Sequence, residues 1–321
     1  MEIQKELRKF NVQIAVLIFT LVIYLLLQNP IIGIIIALEI FAFVGLEVKE
    51  GVKHHGVKHE IVDTVIALVL ALLIWYGSAF LLHTPSPLSA VVSCSMLPNL
   101  QRGDFVIVQG SEPNVYEVSF SQSQFNDFFN GDVLVISEKF DFNKTVKGSM
   151  YSYCTFNINS DPACKSFVSD PYAFKETRGP MEFYYGSCQI KINGANLSQP
   201  CVERISFDKK NYLTNFSNDV VVYQPSKGDL FALTGDIVHR AFFKITSPNG
   251  VYYLIRGDNN PVLDIQIYDY TNQLGNHPVP AQQVKGKVLA RVPLLGYFKL
   301  FISGFFTEPQ QCKTQLSFVH V

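Results

Sequence analysis

Three apolar runs near the start of the sequence constrain the fold more than any other feature. Val12 to Leu27, Ile31 to Val48 and Ile61 to Leu82 contain sixteen, eighteen and twenty-two mostly apolar residues. Each approaches the roughly twenty residues that a helix needs to cross hydrocarbon, where the backbone must satisfy its own hydrogen bonds. Gln28-Asn29-Pro30 reads as a turn between the first two runs, and Lys49 to Glu60 as a polar loop before the third. A secretory leader has one short apolar region and a small-residue cleavage site, so three runs predict retained membrane helices.

Basic residues set the expected orientation. Lys5, Arg8 and Lys9 precede the first run, and Lys49, Lys53 and Lys58 lie between the second and third, whereas the first turn has no Lys or Arg. Both basic flanks are therefore expected in the cytoplasm. The third helix then delivers everything from about His83 onward to the far side of the membrane. Glu39, inside the second run, is expected to be protonated or to pair with a neighbouring helix rather than to act in function, and His54, His55 and His59 are read as part of a solvated loop, with metal binding the lesser alternative. Across the chain 26 basic residues face 27 acidic ones, so no basic footprint exists for nucleic acid, which is excluded as a partner. The 17% charged fraction is below the roughly 25% of soluble domains, as a chain partly in lipid requires.

The exterior portion reads as strands. Phe105 to Val108, Val133 to Ile136, Val220 to Tyr223, Leu230 to Leu233, Tyr252 to Ile255 and Lys287 to Val292 are short runs rich in β-branched and aromatic residues. Long helix-period segments do not separate them, so the expected fold is mainly antiparallel β, anchored by transmembrane α-helices.

Two polar stretches carry possible chemistry. Ser93-Cys94-Ser95-Met96-Leu97-Pro98 leads through Gln101-Arg102-Gly103-Asp104 into a strand, with Ser95 thirteen residues after Leu82. Downstream, Gly235-Asp236-Ile237-Val238-His239-Arg240 is followed by Gly257-Asp258-Asn259-Asn260-Pro261-Val262-Leu263-Asp264, then by Arg291-Val292-Pro293-Leu294-Leu295-Gly296-Tyr297. A Ser hydroxyl attacks a carbonyl only with a proton acceptor nearby, and the resulting oxyanion needs donors. His239 is the candidate base because a near-neutral imidazole accepts and returns a proton; Asp258 or Asp264 is the candidate for orienting it.

The order and wording of these motifs resemble signal peptidase I, in the archaeal and endoplasmic-reticulum branch that uses a Ser-His pair. The resemblance covers about Val91 to Val108 and Asn218 to Tyr297. It implies a signal-peptidase-like antiparallel β fold in which Ser95 is the nucleophile, His239 the general base, Asp264 the acid that orients it, Asp258 a supporting acid and Ser93 an oxyanion-hole candidate. It further implies no metal or organic cofactor, and small residues at the first and third positions before the cut. Cys94 stands where the family has Gly, and Leu97 where it has an acid or other polar residue; neither change removes a reacting atom. His239-Arg240 occupies the place of Lys-Arg in the bacterial branch, and no Lys fits the motif.

Four segments are therefore expected: an anchor over 1–82, a catalytic β domain over 83–108 and 218–306, an accessory insertion over 109–217, and a tail over 307–321. The insertion contains 19 of the 41 Phe and Tyr residues, too aromatic for a disordered linker. Its Cys154, Cys164, Cys188 and Cys201 are expected to form two disulfides on the exterior side while Cys94 stays reduced. Zinc is the alternative, weakened by the lack of a C-x2-C pair. Asn143, Asn196 and Asn215 begin glycosylation triplets, Arg102-Gly103-Asp104 is read as a structural turn rather than an adhesion tripeptide, and Leu294 to Phe306 as an interfacial segment beside the active site. The expected function is a multi-pass cell-membrane serine endopeptidase with an extracytoplasmic catalytic domain, cutting signal peptides from exported preproteins. Its partners would be those preproteins, membrane lipid and the protein-export machinery. The competing class is a non-catalytic accessory or surface-binding protein on the same scaffold.

Overall fold

A computed structural model describes residues 2–130, 132–192, 195–213 and 216–318, apart from the side chains of residues 2–10, 130 and 318. Gln28-Asn29-Pro30 does form a turn: Gln28 adopts a left-handed conformation at φ 49°, and the Asn29 side chain accepts from Ile31 N at 2.8 Å. Pro30 takes the first helical turn, where its missing N–H costs nothing. This turn joins α1 (Glu2–Leu27) to α2 (Pro30–His55). The stretch Lys49–Glu60 is not the expected loop. Its Lys, Glu, Val and His residues continue α2 to His55, and α3 (Val57–Leu81) begins at once. Only Gly56, at φ 80°, breaks the helix, because a residue without Cβ takes that conformation at little cost. By length and composition α2 and α3 are apolar enough to cross a membrane, and α1 contains a shorter apolar segment, Asn11–Leu27. Within the α1–α2 pair, the Thr20 hydroxyl donates to Glu39 at 2.7 Å, which gives the carboxyl of the second run its partner.

Beyond α3 the chain is mostly antiparallel β. β1 (Leu88–Ala90), β2 (Phe105–Gln109) and β3 (Tyr116–Ser119) come first. After α4 (Gln122–Asn130) follow β4 (Val133–Ser137), β5 (Phe142–Val146), α5 (Met150–Asn157), α6 (Pro162–Ser169), β6 (Lys175–Arg178), β7 (Met181–Ile192), β8 (Ala195–Phe207) and β9 (Lys210–Leu213). The chain then makes β10 (Val220–Tyr223), β11 (Ile237–Ser247) and β12 (Gly250–Arg256), the small pair β13 (Tyr268–Asp269) and β14 (Leu274–Gly275), then β15 (Val279–Pro280) and β16 (Val284–Val292). Last come α7 (Gly296–Ile302) and β17 (Thr314–Phe318).

The first sheet runs β1-β2-β16-β10-β11-β12-β15, with β3 parallel to β11; the second runs β5-β4-β6-β7-β8-β9, with β17 on β7. Phe128, Phe167 and Phe183, from the 109–217 stretch, share one core with Phe242, Phe243, Leu254 and Leu263 of the surrounding chain. Phe and Tyr fill this interface, which explains why the intervening stretch is so aromatic. Leu230–Leu233 forms turns rather than the expected strand, since Ala232 N–H donates to Asp229 O and Thr234 N–H to Phe231 O, and Leu233 is left almost fully exposed. Of the glycosylation triplets, Asn143 and Asn196 are exposed, and Asn215 lies outside the described residues.

Helix α7, within the Leu294–Phe306 segment, docks on the first two helices: Tyr297, Leu300 and Phe301 pack with Tyr24, Ile36, Ala37 and Ile40. Its other face, with Leu294, Leu295, Phe298, Ile302 and Phe305, stays exposed.

Candidate active site

The turn that holds Ser95 is fixed by what it buries. Met96 and Leu100 insert among Val91, Val106, Val108, Val222 and Val238, so burial of their apolar surface pins a segment with no strand ladder of its own. The following Leu97–Pro98 bond is cis. From the other side, Asn259 N–H donates to Ser95 O at 2.7 Å. A Cβ on Gly257 would lie 2.6 Å from that same carbonyl, so only Gly permits this approach. Cys94 is not the reduced thiol expected: it is bonded to Cys312, with Cα atoms 4.9 Å apart across 218 residues. The segment after α7 folds back over the turn, a closure that local sequence does not reveal. Cys154–Cys164 and Cys188–Cys201 are paired within the intervening stretch.

His239 lies on β11, opposite Val221 of β10. Its Nε2 is 2.9 Å from Ser95 Oγ and its Nδ1 2.8 Å from Asp264 Oδ2. A carboxylate only accepts, so Nδ1 carries the proton and Nε2 accepts from the Ser95 hydroxyl. Ser93 Oγ lies 3.1 Å from Ser95 Oγ. With the Ser95 proton directed at His239, Ser93 is the donor of that pair. Ser95, His239 and Asp264 are all buried, so their mutual attraction is weakly screened.

Asp258 is set apart from the imidazole. Arg240 Nε and Nη2 donate to its two oxygens at 2.8 and 2.6 Å, and Asn99 Nδ2 donates at 2.7 Å. Arg240 also donates to Asn218 O. Such a bidentate pair fixes geometry as well as energy. Asp258 thus braces the strand that carries His239 against the loop after Ser95, while Asp264 contacts the imidazole itself.

Tyr223, on β10, is a member of the constellation that sequence reasoning missed. Its hydroxyl donates to Asp264 Oδ2 at 2.8 Å. Burial, and then the charge of Asp264, push its phenol well above the usual range, which keeps it a proton donor. It ends a plain Val-Val-Val-Tyr strand and had no sequence signal beyond an aromatic among β-branched residues. The turn Asp264–Gln266 is held by the intervening stretch: Ser149 and Ser152 donate to Gln266 O at 2.7 and 2.8 Å, Arg178 donates to Ile265 O at 2.8 Å, and Gln266 donates to Glu176. Burial raises the Glu176 carboxyl above its ordinary range.

Arg102 and Asp104 are buried, so Arg102-Gly103-Asp104 is not displayed as a ligand. Arg102 donates to Tyr24 Oη at 3.0 Å and to Phe305 O, and Asp104 accepts from Gln101 N at 2.9 Å. Cys94, Glu308 and Cys312 bring potential metal-ligand atoms within 4.8 Å of one another, but the disulfide occupies both sulfurs and leaves one carboxylate.

No family model matches the chain. An uncharacterized protein of Methanocaldococcus jannaschii is 24% identical to it over 241 residues, which span 74% of this chain and 90% of that protein.

Proposed function

We propose that the chain is a membrane-anchored serine endopeptidase that removes signal peptides from exported preproteins. The observation that carries this reading is the continuous hydrogen-bonded line from Ser95 Oγ through His239 to Asp264. It is assembled from the segments whose wording resembles the Ser-His branch of signal peptidase I. In this reading Ser95 Oγ attacks the scissile carbonyl carbon and His239 Nε2 takes the hydroxyl proton. Asp264 stabilises the imidazolium that results. The carbonyl oxygen, now an oxyanion, receives hydrogen bonds from Ser95 N–H and from the Ser93 hydroxyl, which turns away from Ser95 Oγ to reach it. Collapse breaks the peptide C–N bond, and the leaving amine takes the proton from His239. Water, deprotonated by the same Nε2, then splits the acyl-Ser95 ester and restores the hydroxyl.

The anchor supports a membrane-bound substrate. Ser95 lies fourteen residues beyond the end of α3 at Leu81, and the exposed apolar face around α7 suits a seat at the lipid interface. In this reading the basic flanks lie in the cytoplasm and the catalytic domain outside. The test is cleavage of a preprotein by the purified, detergent-solubilised chain. Ser95→Ala is expected to abolish processing with unchanged far-ultraviolet circular dichroism; full activity of that variant, prepared free of host peptidase, refutes the assignment.

A further inference from the structure

Among the described residues the nucleophile turn has no ladder partner, yet Ser95 must stay within hydrogen-bond reach of His239. Beyond the burial of Met96 and Leu100, part of what holds it comes from the far end of the described chain. The Cys94–Cys312 bond attaches the residue before Ser95 to the segment after α7. Asn259 completes the attachment by using the whole of its amide. Nδ2 donates to Cys94 O at 3.0 Å and to Thr314 O at 2.9 Å, Oδ1 accepts from Leu316 N at 2.6 Å, and its backbone N–H holds Ser95 O. Beside it, Gln311 Nε2 donates to Asn260 Oδ1 at 2.8 Å.

The segment is itself anchored at both ends. Arg102 donates to Phe305 O and Tyr24 Oη to Phe306 O at 2.8 Å, which fastens the near end to the helices. At the far end β17 pairs antiparallel with β7 from Thr314↔Ile192 to Phe318↔Cys188, and Leu316 is buried against Cys188 and Cys201. A strand in a sheet is a rigid reference, whereas a turn is not.

We infer that Phe305–Phe318 is a strap that positions the Ser95 hydroxyl, with Asn259 as the positioning residue that clasps it to the nucleophile turn. The inference rests on the serine-endopeptidase reading. Asn is required because one side chain must donate to two carbonyls and accept from one N–H; Asp is isosteric but has no donor when ionised. Without the clasp, Cys94 O and Thr314 O lose the amide that joins them, and the nucleophile turn loses its side-chain tie to the strap. A displacement of about 1 Å at a reacting group costs up to roughly 100-fold in rate.

The test compares Asn259→Asp, Asn259→Ala and the double variant Cys94→Ala, Cys312→Ala with the parent. kcat and KM are measured on one preprotein fragment at a temperature well below each variant's Tm. The expected result is a kcat loss of about tenfold or more in every folded variant, with KM within about twofold, because what is lost is the placement of the reacting hydroxyl. Parental kcat in folded variants with lowered Tm would make the strap a stabilising device only and overturn the inference. If the Asn259 variants do not fold, the cysteine double variant decides by the same criterion. Ser95→Ala is run alongside. If Ser95→Ala still cleaves, the serine reading fails and the strap with it; if Ser95→Ala is dead while the strap variants keep parental kcat, the strap inference fails alone.

Discussion

The two acids near the candidate base make opposite demands, and replacing each by Asn separates them. In Asp264→Asn the residue stays isosteric and still offers an oxygen to Tyr223, so the fold loses little. The charge that faces His239 at 2.8 Å disappears. When Ser95 gives up its proton the imidazole becomes a cation with its charge centre about 4 Å from that carboxylate, an attraction of about 4 kcal/mol at an effective dielectric constant of 20. At 1.36 kcal/mol per tenfold, kcat should fall by roughly 10³, with Tm within a few degrees of the parent. Asp258→Asn removes the partner of Arg240, whose two hydrogen bonds to it measure 2.8 and 2.6 Å and whose side chain is buried. An uncompensated buried charge costs about 3–5 kcal/mol, equivalent to a Tm loss of roughly 6–20 °C. Its activity should fall as well, because the Arg240 strand carries His239. Preprotein turnover and thermal unfolding of both purified variants check the pair of values. A kcat for Asp264→Asn within about threefold of the parent would refute the electrostatic argument, and a purely catalytic loss in Asp258→Asn with unchanged Tm would mean the two acids exchange roles.

Three further outcomes are expected. Gly257→Ala should lower both kcat and Tm, because its Cβ would meet Ser95 O at 2.6 Å; a variant that matches the parent in both would show that the turn yields freely. Tyr223 has a folded pKa raised well above the ordinary value of about 10. Its contribution to stability is therefore complete below that value and lost as pH rises through the folded pKa. The Tm drop between pH 9 and pH 11 should be smaller in Tyr223→Phe, and an equal drop in parent and variant contradicts this. Non-reducing peptide mapping by mass spectrometry should recover Cys94–Cys312, Cys154–Cys164 and Cys188–Cys201, and a freely alkylated Cys94 would refute the first bond.

Much of the local structure was legible because it rests on local chemistry. The Gln28-Asn29-Pro30 turn follows from a capping side chain and a proline, and Val220–Tyr223 and Tyr252–Ile255 are strands because β-branched and aromatic residues suit a pleated surface. Polarity by itself does not make a segment irregular. The charged stretch Lys49–Glu60 is helical because Lys, Glu and Val do not break helices and only Gly56 does. Apolar Leu230–Leu233 is a turn because its backbone bonds locally, Ala232 N–H to Asp229 O and Thr234 N–H to Phe231 O, between Gly228 and Gly235 at φ 92° and 77°.

Local sequence is enough to place apolar helices before a β-rich body and to single out Ser93, Ser95, His239, Asp258 and Asp264. Periodicity, turn chemistry and motif wording act within a few residues of one another. The contacts themselves arise in the folded chain: Ser95 meets His239 across 144 residues, Cys94 meets Cys312 across 218, and Tyr223 reaches Asp264 across 41. Those pairings depend on how the sheets pack and how the segment after α7 returns over the turn that holds Ser95, and no short-range pattern encodes a contact whose two halves are ordinary residues until the core brings them together.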